Sequence, residues 1–121
     1  MYSAEVLDHF EHPRNAGKVA AADGCARIEN PACGDILEIS LTLHGDRIEE
    51  IRFLAKGCVA SMACGSALTE LVQGRTVEAA RKLGREELVR GVGGLPQASG
   101  HAAQLALDAL AAALNQAERK N

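Results

Sequence analysis

Residues 37 to 55 constrain most what this chain can become. Leu37, Ile39, Leu41 and Leu43 alternate with Glu38, Ser40, Thr42 and His44, and Ile51, Phe53 and Ala55 resume the alternation after Gly45-Asp46. Successive side chains on a strand point to opposite faces, so this pattern describes two strands with one dry face and one wet face. The Gly-Asp turn between them makes the pair antiparallel. The dry face needs a cover, and helices elsewhere in the chain must supply it.

Those helices can be read on both sides of the hairpin. Ser3 is placed to cap a first helix with Val6, Leu7 and Phe10 on one face, ended by His12-Pro13 and a turn at Asn15-Ala16-Gly17. A short strand is expected around Ala26 to Glu29. From Ala60 the period becomes helical, with Ala60, Ala63, Ala67, Leu68 and Leu71 along one stripe up to Gly74. Thr76 caps a short helix to about Leu83, and Arg85 to Val89 starts another. Gly91, Gly93, Gly94 and Pro96 form a loop. Ser99 is the candidate cap of a last helix running to about Glu118, with Gln104, Asp108, Asn115 and Arg119 on one solvated face. The expectation is an α+β fold: a small antiparallel sheet of about three strands with helices packed on one face. Residues 1–121 show no repeat, linker or internal boundary and read as one domain.

Composition narrows the function. Apolar residues make up 47% of the 121, yet Tyr2, Phe10 and Phe53 are the only aromatic ones. The core is therefore aliphatic. A net charge of -3, with no basic stripe and no stacking aromatics, argues against nucleic acid as a partner. No apolar run approaches the roughly 20 residues of a membrane span, and the first residues lack a signal pattern. A cytoplasmic protein is expected. In a reducing cytosol the four cysteines, Cys25, Cys33, Cys58 and Cys64, call for metal binding, catalysis or plain burial rather than disulfides.

Three separated stretches carry the chemistry: Ala32-Cys33-Gly34-Asp35, Gly57-Cys58 and His101. Two thiols, a carboxylate and an imidazole suit zinc or iron with mixed sulfur, nitrogen and oxygen ligation. Cys58 follows Lys56-Gly57 at a helix start, where the ammonium and the helix terminus both favour thiolate. His101 opens the last helix, and a helix N-terminus keeps imidazole neutral and able to ligate. Each residue also has a plainer reading: Asp35 as a strand opening, Cys58 as a buried thiol, His101 as a surface histidine. Cys64 falls inside the helical stripe and reads as a packing residue, while Cys25 sits in a loop before the sheet. His9, His12 and His44 read as exposed or local polar groups. By residue type, Cys58, His101 and Asp35 are also a nucleophile, a base and an orienter, so a thiol enzyme stays open.

In its motifs the chain resembles the iron–sulfur cluster assembly scaffold family of the IscU and NifU N-terminal type. The matching stretches are Tyr2-Ser3, Val6-Leu7-Asp8-His9, Pro13-Arg14-Asn15-Ala16-Gly17, Pro31-Ala32-Cys33-Gly34-Asp35, Gly57-Cys58 with Ala60-Ser61, Thr69-Glu70, Gly74, Leu95-Pro96 and His101. The resemblance implies a scaffold or carrier rather than an enzyme. Such a protein receives iron, and sulfur from a cysteine desulfurase, and passes a labile [2Fe–2S] cluster to apo iron–sulfur acceptor proteins. It implies Cys33, Asp35, Cys58 and His101 as the ligands, with zinc able to take the same site. Two departures stand out. The family has a third cysteine directly after the histidine, where this chain has Ala102. Only Leu95-Pro96 remains of the family's chaperone-recognition segment, which argues against docking of an Hsp70-type chaperone. The missing cysteine also motivates an alternative: a zinc-binding, assembly-deficient partner or sulfur acceptor acting on a cysteine desulfurase.

Overall fold

The protein is described by a computed structural model covering residues 1–31 and 34–120. Its elements are α1 (Ala4–Glu11), β1 (Gly24–Glu29), β2 (Ile36–His44), β3 (Arg47–Lys56), α2 (Val59–Val72), α3 (Val77–Arg81), α4 (Arg85–Gly91) and α5 (His101–Lys120). The strands form one sheet in the order β1-β2-β3, antiparallel throughout. This is the α+β architecture expected from the alternating pattern.

The alternation sets the faces. Leu37, Ile39 and Leu41 of β2, with Ile51 and Phe53 of β3, are buried on one side. There α5 packs over β1 and β2, α2 packs over β3, and α1 packs on α2. The segment after α1 pairs with the edge of β3 through the Gly17 amide and the Phe53 carbonyl. It then reaches β2, where the Val19 amide donates to the Ser40 hydroxyl. Helix α2 is buried around nearly its whole girth, and small residues make this possible. At Gly65 a Cβ would come within 2.6 Å of the Phe53 ring, so only a bare backbone lets helix and strand approach this closely.

Four readings from the sequence need correction. Ser3 does cap α1, accepting from the Val6 amide, but the inward side chains are Val6 and His9. Leu7 and Phe10 are exposed. His9 is buried, and its Nδ1 lies 2.8 Å from the Ser66 hydroxyl of α2. The inner side of α1 meets the Ser66 hydroxyl, and a histidine satisfies that group where an apolar side chain could not. Cys25 lies within β1, which begins earlier than expected, and not in a loop. Ser99 closes a 3₁₀ turn, Gln97–Ser99, and α5 starts after Gly100. The polar row Gln104, Asp108, Asn115 and Arg119 is solvent-facing as expected.

Candidate metal centre

Three elements deliver the donors. Asp35 directly precedes β2, and the pleat of that strand turns its side chain under the start of α2. Cys58 is the N-cap of α2, its backbone still extended, and its sulfur accepts the Ser61 amide at 3.4 Å. Oxygen-bearing residues usually fill this position. A thiol here spends one lone pair on the cap and faces the positive end of a 14-residue helix. His101 is the first residue of α5.

Among the described residues, Asp35, Cys58 and His101 bring one donor atom each to within 4.8 Å of one another. The Asp35 carboxylate is the hub and is 4% exposed. Its Oδ1 accepts the Cys58 backbone N–H at 3.2 Å. Its Oδ2 accepts the Cys58 S–H at 3.1 Å and the Ser61 hydroxyl at 2.8 Å, and lies 3.6 Å from His101 Nε2. Cys58 and His101 are partly exposed, so the group opens to solvent on the sulfur and imidazole side. Gly57 makes this closeness possible. Its φ is +141°, outside the range of ordinary L-residues, and a Cβ there would overlap the Asp35 carboxylate, with Cγ only 2.6 Å away.

Cys33, the fourth residue singled out in the sequence, lies outside the described residues. Cys64 does not join the group. It is fully buried in the core, and burial, with the Cys58 sulfur adding to it, pushes its thiol up to about 12. A thiol that stays protonated in an apolar setting neither ligates nor attacks, which agrees with its reading as a packing residue. Cys25 is likewise raised, first by burial and then by Glu38, and sits on β1 away from the donors. Ala102, next to His101, is fully buried and offers no donor. Two residues at the group carry more than the sequence revealed. Ser61 was legible only as part of a motif, and Gly57 only as a neighbour of the cysteine.

Chemically the group mixes a soft donor, a borderline one and a hard one: thiol sulfur, imidazole nitrogen and carboxylate oxygen. Such a set takes zinc or iron in preference to magnesium or calcium.

Comparison with known proteins gives the same direction. The family profile described as NifU-like N terminal domain matches residues 1–121. The chain is 44% identical over 121 residues to iron-sulfur cluster assembly scaffold protein IscU 1 of Archaeoglobus fulgidus, covering 100% of this chain and 79% of that one. It is 35% identical over 123 residues to the scaffold protein IscU of Azotobacter vinelandii, covering 98% and 95%. In fold it is similar to the N-terminal part of a NifU-like protein from Brucella abortus, with a TM-score of 0.80 at 20% identity, covering 98% of this chain and 95% of the other.

Proposed function

Because this chain belongs to the family of NifU-like N-terminal domains, we propose that it is an iron–sulfur cluster assembly scaffold. Its cargo is a transient [2Fe–2S] cluster, held by Cys33, Asp35, Cys58 and His101. The observation that carries this reading is the convergence of Asp35, Cys58 and His101 from three distant parts of the chain. Iron–sulfur clusters are usually held by thiolates alone, and an acidic oxygen is a poorer partner for them. A site that includes one grips its cargo loosely, which suits a donor more than an electron carrier. A cysteine desulfurase supplies the sulfur, and apo-proteins take the finished cluster. In this role the chain presents a site and gives the product away; it does not turn a substrate over.

The protein's own groups prepare the site. The Cys58 amide, at the N-terminus of α2, donates to Asp35 and holds its carboxyl group beside the sulfur. Cys58 must lose its proton to ligate, and the partial exposure of its sulfur lets that proton leave to solvent while Asp35 stays available as a ligand. Anaerobic reconstitution with ferrous iron, cysteine and a cysteine desulfurase tests the reading. Visible sulfide-to-iron absorption should develop in the wild type and be lost in Cys33→Ala and Cys58→Ala. No absorption in the wild type, or absorption in both variants equal to that of the wild type, would overturn it.

Zinc is the other occupant this donor set suits. The absence of a donor at fully buried Ala102 favours it. Elemental analysis of freshly purified protein separates the two. One tightly held zinc per chain that iron and sulfide fail to displace would mark an assembly-deficient partner instead.

A further inference from the structure

We propose that Ser61 is a positioning residue of this site: its hydroxyl locks the Asp35 carboxylate in the orientation that Cys58 and His101 require, and so sets how firmly a metal ion is retained. The proposal rests on the reading of Asp35, Cys58 and His101 as a shared donor set.

The two oxygens of Asp35 have different duties. Oδ1 is held by the Cys58 amide and lies over the bare Cα of Gly57. Oδ2 faces both the sulfur and the imidazole. Rotation about the last bond of an aspartate is soft, so the orientation of the carboxylate is set by the groups that hold its oxygens. At 2.8 Å the Ser61 hydroxyl lies nearer to Oδ2 than the Cys58 sulfur or the His101 ring does. Ser61 is fully buried in the first turn of α2, and its hydroxyl donates to Oδ2. A serine within a helix commonly returns its hydrogen to the carbonyl one turn back. Ser61 directs it at the carboxylate instead.

The same hydroxyl lies 3.3 Å from Cys58 Sγ, while the Ser61 amide caps that sulfur at 3.4 Å. One residue therefore touches two of the three donors through two separate groups. When Cys58 releases its proton to solvent and its sulfur turns to an ion, the Ser61 hydroxyl keeps Oδ2 in place. Partners that orient ligands in this way typically change metal affinity by about 10- to 100-fold when removed.

Cobalt(II) titration of the full chain tests this, because thiolate-to-cobalt absorption reports sulfur ligation and the d–d bands report geometry. Ser61→Ala should bind Co²⁺ about 10- to 100-fold more weakly, with altered d–d bands. Ser61→Thr and Ser61→Val have the same shape and differ by one hydroxyl. The threonine variant should approach wild-type affinity and spectrum, and the valine variant should match alanine. Should alanine at this position prevent folding, the threonine–valine pair still decides. Equal affinity and spectra for that pair, or for wild type and alanine, would overturn the proposal, as would a wild type with no thiolate-to-cobalt band. A wild type that binds Co²⁺ through Cys58 but builds no cluster would overturn the scaffold reading alone and leave the Ser61 comparison intact.

Discussion

Gly57→Ala separates two demands that meet at one residue, backbone conformation and room for the carboxylate. At φ +141° an alanine is strained by about 1–3 kcal/mol. Its Cβ would also occupy the space of the Asp35 carboxylate, whose Cγ would be 2.6 Å away. Asp35 must then withdraw and give up the Cys58 N–H, and a hydrogen bond to a charged group contributes about 1.5–3 kcal/mol. The sum is about 3 kcal/mol or more, a large part of the 5–15 kcal/mol that roughly bounds domain stability. For a domain of this size that lowers the melting temperature by about 10 °C. Gly74→Ala is the control. Its φ is +84° and a Cβ there meets nothing within 4 Å, so backbone strain of about 1 kcal/mol is the whole effect. Calorimetry of both variants, with cobalt titration of each, gives the comparison. Gly57→Ala should melt well below Gly74→Ala and bind the metal ion more weakly. If the two melt together and bind alike, the claim that Gly57 makes room for Asp35 is refuted.

Two further expectations concern protons. Burial holds His9 below its ordinary value of 6.5, and Arg14 adds to this, while Glu70 and Asp8 oppose it. The unfolded chain therefore takes up a proton that the folded one resists, so stability is full above about pH 6.5 and falls as the pH drops through it. Urea denaturation at pH 7.5 and 5.5 should show this loss, and His9→Gln should flatten it; an unchanged slope would contradict the assignment. For Cys64, raised to about 12 and fully buried, iodoacetamide at pH 8 should leave the thiol unmodified until urea unfolds the chain, whereas Cys58 reacts in the folded state. Peptide mapping reads both, and early labelling of Cys64 would contradict its place in the core.

What was legible in the sequence is what depends on one segment at a time. The alternation from Leu37 to Ala55 specified the hairpin, because a strand's two faces are written in its own residues. Ser3 and Thr76 announced helix starts for the same reason, since a cap is a local contract between a side chain and an amide three residues on. The inward face of α1 was not legible. Val6, Leu7 and Phe10 looked like one apolar stripe, but only Val6 of these turns inward, and beside it α1 meets the Ser66 hydroxyl of α2, 57 residues from His9. His9 won the inward place because its partner is polar. The start of β1 was missed because Gly24 and Cys25 do not look like strand formers. Gly24 is admitted by α5, whose Ala113 carbonyl leaves no room for a Cβ. The donor residues could be named one by one from their types, but Ser61 gains its role only when β2 brings Asp35 beneath the helix start.

Asp35, Cys58 and His101 are separated by 23 and 43 residues along the chain, and no two of them share an element. An unfolded chain consequently has no ready-made grip for an ion, and any affinity the protein has belongs to its folded form. Thermodynamic linkage then requires the reverse: whatever fills the pocket tightens the junction of the sheet with the starts of two helices, and emptying it relaxes that junction by the same free energy. Cargo and fold are thus two readings of one equilibrium.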